Sequence, residues 1–288
     1  MKKIIKKISR ILPDKLYLSL KYRYMLGSFP NLKNPETFNE KLQWLKLHDR
    51  KPIYTTMVDK YEVKKYVADI LGEEYVIPTF GVWDRFEDID FDSLPDQFVL
   101  KCTHDSGGLV LCRDKAKLNK EEAKKKLNKS LRTNYYFHGR EWPYKDVKPR
   151  IIAEEFLVDE SGNGLTDYKV MCFGGEPKLI QVHKGRFEKH TQDFYDLEWN
   201  KQPFSQGVDM PCSPVEIEKP NFLSEMLDLT KKIATTIPQV RIDWYYMNNQ
   251  LYFGEITFFD GSGLGKFSPD EWNYTLGSWI TLPKKNSL

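Results

Sequence analysis

The chain has 288 residues, of which 40% are hydrophobic and 30% charged, with 44 basic against 41 acidic side chains and a net charge of +3. That length can bury a sizeable core, as one large domain or two to three small ones; the composition excludes a disordered body, and the near balance of charge excludes a large nucleic-acid-binding field. Cys102, Cys112, Cys172 and Cys212 form no Cys-x-x-Cys pair, have no histidine at ligand spacing and belong to a chain with no apolar run of membrane-spanning length, so we expect a cytoplasmic protein with reduced thiols.

In chain order, Met1 to Leu12 repeats isoleucine at 4, 8 and 11 among five cations, and it lacks the long apolar region and cleavage site of a signal peptide. It reads as a short basic amphipathic helix that either lies on an anionic membrane surface or caps the core. Residues 36 to 47 read as a helix with Phe38, Leu42, Trp44 and Leu45 inward. Asp59-Lys60-Tyr61-Glu62 opens another with an Asp-x-x-Glu capping box, closing at Gly72. A short strand is expected at Tyr75 to Pro78. Asp88-Ile89-Asp90 matches the paired aspartates of metal-dependent glycosyltransferases, but it lies in an acidic stretch without a preceding apolar strand, and reads as solvated charge.

Strands follow at Gln97 to Cys102 and Leu109 to Cys112, then a helix from Asn119 with Glu122 as box partner. Between the strands, Lys101 and the Ser106-Gly107-Gly108 turn offer an ammonium and several backbone N–H groups to phosphate oxygens; the alternative is an ordinary turn. The Walker spacing is absent, which excludes an ordinary P-loop. His104 is a candidate phosphate donor or acid/base, or a structural histidine. Gly139-Arg140-Glu141-Trp142-Pro143-Tyr144 and Lys184-Gly185-Arg186 combine cations with aromatics, so Arg140, Lys184 and Arg186 are candidates for an anionic acceptor; solvated arginine and packed tryptophan is the alternative.

Arg150 to Glu154 is read as a strand running on through Glu155, Phe156 and Leu157, which either lines an adenine pocket or simply ends in solvated acids. Further strands are expected at Tyr168 to Phe173 and Lys178 to His183. A helix follows from Asn221 to about Thr236, with Phe222, Met226, Leu229 and Ile233 on one face.

Gln239 to Met247 and Leu251 to Phe258 then read as a hairpin turning at Asn248-Asn249, and a last helix opens at Ser268-Pro269-Asp270-Glu271. Arg241, Asp243 and Glu255 stand in this apolar hairpin, where uncompensated charge is costly unless it meets a cation or an anionic ligand. A two-residue loop pairs Asp243 with Gly254 and turns Glu255 to the other face; a three-residue loop that includes Gln250 sets Asp243 opposite Glu255. Only the second register makes a shared metal site, and a solvated charged face is the alternative to both. The element order, with its many antiparallel connections, gives an α+β fold.

Taken in order, Asp59-Lys60, Phe98-Val99-Leu100-Lys101 with its glycine loop, Ile151 to Leu157, Asp167-Tyr168-Lys169-Val170, Arg241-Ile242-Asp243 and Gly254-Glu255-Ile256-Thr257 resemble an ATP-grasp enzyme. With Pro35 to Leu45, Gly139 to Tyr144 and Gly261-Ser262-Gly263, the chain is similar to the TupA-like ATP-grasp family of bacterial surface-polysaccharide gene clusters over about residues 30 to 280.

That resemblance implies an ATP-grasp fold with the nucleotide between two α+β subdomains and a helical N-terminal region. Residues 1–58 would be helical, and the ATP-grasp region would span 59–280, with a lead-in at 59–96, a grasp subdomain at 97–157 and a metal-binding, catalytic subdomain at 158–280. Residues 281–288 would be a tail. Lys60 and Lys101 would hold the phosphates under the Ser106-Gly107-Gly108 loop, with Lys169 nearby, while Glu154, Glu155, Phe156 and Leu157 would form the adenine hinge. Asp243 and Glu255 would bind Mg2+, with Thr257 where many ATP-grasp ligases carry asparagine. Arg241, aided by backbone N–H near Gly261, would stabilise an acyl phosphate or tetrahedral intermediate.

The implied activity is ATP- and Mg-dependent ligation of a carboxylate to an amine. The resemblance suggests a uronic acid of a capsule or other cell-surface polysaccharide precursor, joined to an amino acid or amino alcohol, with peripheral contact to the membrane or to other assembly enzymes. A glycosyltransferase using a nucleotide sugar is the alternative. A silent binding protein is a third reading, against which retention of Lys101, Arg241, Asp243 and Glu255 argues.

Overall fold

The structure is a computed structural model that describes residues 10–157, 165–185, 190–207 and 210–284. Two antiparallel sheets organise it. The smaller has the order β1-β4-β2-β3, from β1 (Thr79–Trp83), β2 (Phe98–Cys102), β3 (Leu109–Cys112) and β4 (Ile151–Glu155). The larger has the order β10-β9-β5-β6-β7, from β5 (Asp167–Phe173), β6 (Glu176–Lys184), β7 (Thr191–Tyr195), β9 (Gln239–Met247) and β10 (Gln250–Thr257). A two-residue pair, β8 (Ser205–Gln206) with β11 (Phe267–Ser268), lies apart.

Each sheet has its own core, so the chain forms two subdomains. In the smaller, Phe98, Leu100, Ile151 and Ala153 pack against Phe86, Phe91 and the Ala123 and Leu127 face of a helix at Lys120–Leu131, which Asn119 caps by accepting from Glu122 N–H at 3.1 Å. In the larger, Val170, Ile180, Ile242 and Trp244 pack against Met226, Leu229 and Ile233 of a helix at Leu223–Ala234. This is the face that the 3.6-residue spacing predicts.

The N-terminal region is helical: α1 (Asp14–Leu26), α2 (Phe38–His48), α3 (Ile53–Val58) and α4 (Glu62–Leu71). Phe38, Leu42, Trp44 and Leu45 of α2 are buried in the larger core, as expected. Its start is fixed by a capping box, in which Thr37 accepts from Glu40 N–H and Glu40 accepts from Thr37 N–H, each at 3.2 Å.

Two local expectations change. Asp59 accepts from the N–H of Tyr61 at 2.9 Å and of Glu62 at 3.3 Å, but Glu62 does not close a box: it pairs with Arg150 at 2.8 Å, which also holds Asp59 at 2.7 Å. Tyr75 to Pro78 is not a strand. Glu73–Tyr75 is a 3-10 turn, Val76 makes a single parallel bridge with Phe253, and the strand begins at Thr79, after proline has interrupted the N–H series. The smaller sheet therefore takes its first strand from the 59–96 stretch. Strands β1 and β7 were not legible as strands at all.

Candidate functional site

A cleft of about 470 Å³ opens between the two sheets. Its size fits a small-molecule or cofactor site, and its lining joins apolar walls to many charged side chains. Lys60, Lys101, Ser106, Gly108, Glu154, Glu155, Phe156, Leu157, Lys169, Asp243 and Glu255 all line it, so residues spread over nearly 200 positions of sequence converge there.

The upper wall is cationic. Lys101, near the end of β2, stands 2.5 Å from one oxygen of the buried Glu154 on β4, and Lys64 of α4 stands 2.7 Å from the other. Burial alone would raise the Glu154 carboxyl, but Lys101 and Lys64 outweigh it and hold the group below the ordinary glutamate range. The Glu154 side chain is thus the counter-ion of two lysines that line the cleft. Lys64 was missed in the sequence, although it stands one turn beyond Lys60 beside the inward Val63 and Val67. Lys60 donates to the Asp105 carbonyl at 2.5 Å, which fastens α4 to the loop after β2.

That loop is built around Asp105. Its carboxylate accepts from Gly108 N–H at 3.0 Å and from the Ser130 hydroxyl, while Ser106 donates to the Tyr135 hydroxyl at 2.9 Å. His104 is structural: it is buried, and its Nε2 donates to the carbonyls of Ser130 and Thr133 at 3.1 and 3.0 Å, outside the cleft. The two glycines differ. A Cβ on Gly108 would lie 2.6 Å from Ser130 Oγ and 2.7 Å from Cys102 Sγ, whereas one on Gly107 would meet nothing closer than Asp105 at 4.0 Å. We expect Gly108→Ala to destabilise the fold by about 1–3 kcal/mol in chemical denaturation and Gly107→Ala to leave it unchanged. Equal costs would show that Gly108 is not packed this way.

At the opposite end the cleft is apolar, with Val99 and Leu111 below Phe156 and Leu157, the two residues at which the chain leaves β4. The Arg113 guanidinium lies over the Phe156 ring, 5.6 Å from its centre. Glu155 is already committed through its N–H to the Pro78 carbonyl at 3.0 Å.

The floor is the β9–β10 hairpin, and its register combines features of the two expected alternatives. The turn has only two residues, Asn248 and Asn249, both left-handed at φ 51° and 58°, with Gln250 opposite Met247. Asp243 nevertheless faces Glu255, because Gly254 is bulged out between Phe253 and Glu255. A Cβ on Gly254 would come within 3.1 Å of the Asp243 carbonyl oxygen, so glycine suits the bulge.

Arg241 lies under this floor rather than on the cleft surface. Its Nε and Nη2 donate to Asp243 at 2.7 and 2.8 Å, Nη2 also reaches Glu255 and Thr257 at 3.2 Å, and Nη1 holds the buried Asp260. Lys169 on β5 bonds Asp243 from the other side. Thr257 does not line the cleft; its hydroxyl donates to Glu255 at 3.3 Å. Asp260 went unnoticed in the sequence because the Gly-Ser-Gly that follows it reads as a plain turn. In fact Gly261, Ser262 and Gly263 are consecutively left-handed, and the buried Lys46 ties them down by donating to the carbonyl and hydroxyl of Ser262 at 2.8 and 2.9 Å.

Burial alone would raise the Asp243 carboxyl, but Arg241 and Lys169 outweigh it and hold its pKa at about 2. Relative to an unfolded aspartate near ~3.9, the resulting stability is fully present above about pH 4 and is lost as pH falls through about 2. Between those values wild type should lose on the order of 2 kcal/mol more in urea unfolding than Asp243→Asn. Identical acid profiles would remove the ion network from the account.

Asp243 and Glu255 are hard oxygen donors on adjacent strands lining the cleft, Glu255 partly exposed and Asp243 buried with both its oxygens paired to Arg241 and Lys169, and Mg2+ is commonly held by one or two carboxylates plus phosphate oxygens and water. Glu255, with its side chain 41% exposed, is the donor open to such an ion; among the described residues, no group of three or more His, Cys, Asp or Glu forms a self-sufficient metal cage.

The remaining candidates lie elsewhere. Arg140 is buried against Tyr17, Tyr136 and Phe137, with Asp14 at 3.4 Å, and anchors the N-terminal helix. Lys184 ends β6 opposite Thr191 and does not line the cleft; Arg186 lies outside the described residues. Asp88 and Asp90 are exposed, with Asp88 bound to Arg85 at 2.5 Å, so the glycosyltransferase-like pair is solvated charge.

Compared with known proteins, residues 40–281 match the sequence model of a family described as TupA-like ATPgrasp. No curated protein matches. Among solved structures, D-alanine–D-alanine ligase from Bacillus anthracis complexed with ATP is 16% identical over 70% of this chain and 53% of its own, with a TM-score of 0.40. L-amino acid ligase from Bacillus licheniformis is 14% identical over 74% and 44%, at 0.42. A RimK domain ATP-grasp protein from Sphaerobacter thermophilus is 11% identical over 79% and 69%, also at 0.42. The chain spans 53% to 61% of the length of the first solved structures it matches.

Proposed function

We infer the function from a premise that the family match supplies: the chain belongs to the TupA-like ATP-grasp family and has its α+β, ATP-grasp fold. It acts, on our reading, as an ATP- and Mg-dependent ligase joining a carboxylate to an amine. The observation that carries this is the facing of a lysine-rich wall, Lys60, Lys64 and Lys101, by the Asp243–Glu255 pair across one cleft with an apolar far end.

The base takes the apolar end lined by Phe156, Leu157 and Val99, and the three lysines neutralise the phosphates, with the N–H groups of Ser106 and Gly107 closing over them. Asp243 and Glu255 would hold magnesium, which would supply neutralisation of phosphate charge there. Arg241 and Thr257 act through those carboxylates by fixing their orientation. A substrate carboxylate oxygen attacks the γ-phosphorus and ADP leaves. The amine then attacks the carbonyl carbon of the acyl phosphate, inorganic phosphate departs, and the amine loses a proton. The Gly261 backbone N–H, at the head of the left-handed turn, serves the developing oxyanion. Closure of the cleft against water protects the acyl phosphate.

For the substrates we propose a uronic acid of a surface-polysaccharide precursor and an amino acid or amino alcohol. Hydroxylamine trapping tests the reaction class without knowledge of the amine: with ATP, magnesium and a panel of sugar acids, the reading requires hydroxamate together with stoichiometric ADP. ADP formation with no trapped acyl group from any acid would contradict it.

A further inference from the structure

We propose that α1 presents a peripheral docking surface for an anionic lipid bilayer. One face of this helix is fixed to the protein: Leu18 and Tyr22 are buried, Tyr17 donates to the His138 carbonyl at 3.0 Å, Lys21 donates to the same carbonyl at 2.5 Å, and Asp14 binds Arg50 at 2.9 Å. The opposite face is apolar where a soluble surface helix is ordinarily polar. Leu16, Leu20 and Tyr24, spaced four residues apart, are 47%, 47% and 86% exposed, and Phe29 beyond the helix is 62% exposed. Because the helix is pinned from behind, the stripe is not a consequence of loose packing.

Charge decides what covers it. The first 26 residues carry eight basic side chains and one acid, whereas the remaining 262 carry 36 basic and 40 acidic. A net +7 is therefore concentrated at this end of a chain whose remainder is −4, and Lys15 and Arg23 flank the stripe in exposed positions. A second copy would bring two strongly positive faces together, and the segment Met1 to Ser9, with four lysines, repels the same face. An anionic lipid surface satisfies both features at once: headgroups meet the lysines and arginines while leucine and tyrosine enter the acyl boundary. No described helix is long and apolar enough to cross a membrane, so the contact is with one leaflet.

The test uses the full chain and is independent of nucleotide. In co-sedimentation with phosphatidylglycerol–phosphatidylcholine vesicles we expect binding at low salt that falls at least about tenfold on pure phosphatidylcholine or in 0.5 M salt, as screening dictates. The triple variant Leu16→Ser, Leu20→Ser, Tyr24→Ser should lose about tenfold in affinity for the anionic vesicles, with an unchanged melting temperature, since none of the three is buried. Undiminished vesicle binding by the triple variant, equal binding to neutral vesicles, or no vesicle binding in a protein whose self-association the triple variant abolishes would each overturn the proposal. The last of these would assign the stripe to a second copy.

Discussion

Lys101→Ala should abolish nucleotide-dependent turnover, by about 10³-fold or more, and remove measurable ATP binding. The side chain does two things. It presents an ammonium to the cleft, and with Lys64 it pairs with the buried Glu154 carboxylate. Alanine leaves Glu154 with Lys64 in a one-to-one pair, so the fold should survive while ATP binding is lost, and a melting temperature measured on the same protein separates a phosphate role from a folding defect. Unchanged ATP affinity in a folded Lys101→Ala variant would mean that Lys101 only neutralises Glu154, and the phosphate wall would lose its central member.

Glu255→Gln should leave the melting temperature almost unchanged while lowering magnesium-dependent turnover by about 10²- to 10³-fold. The Glu255 side chain is 41% exposed and is the outermost member of the floor network, touched by Arg241 and Thr257. Arg241 keeps Asp243 and Asp260 when Glu255 is neutralised, so the buried charges stay balanced; an exposed pair of this kind contributes only about 0.2–1 kcal/mol. Asp243 is the contrasting case one strand away, because it is buried between Arg241 and Lys169 and its removal takes a carboxylate partner from both cations. Unchanged activity of Glu255→Gln at limiting magnesium would take the metal site out of the reading.

Much of this arrangement was legible in the sequence because it depends on local pattern. Period-two strands, period-3.6 helices and the cap at Asn119 gave most of both sheets and the packed helices. Failures occurred where tertiary context decides. The hairpin loop was expected to have two residues or three, and the observed bulge at Gly254 keeps the two-residue turn and still pairs Asp243 with Glu255. Arg241 reads as an exposed catalytic cation until one sees three carboxylates, those of Asp243, Asp260 and Glu255, drawing it beneath the floor. Glu154 and Lys64 are 90 residues apart, and neither shows in sequence that it exists to balance the other. Arg140 and His104 drew notice as polar residues in loops, but burial gave them structural partners. The family resemblance supplied what no single motif could, the order in which weak motifs occur.

The central question is whether this cleft takes ATP with magnesium. Titration calorimetry of the full chain with ATP, with magnesium present and then absent, and with UDP-sugars as comparison ligands, measures that in one experiment. Magnesium-dependent heat from ATP, and none from the sugar nucleotides, is the predicted result. Binding of a UDP-sugar with no response to ATP would contradict it and return the protein to glycosyl transfer.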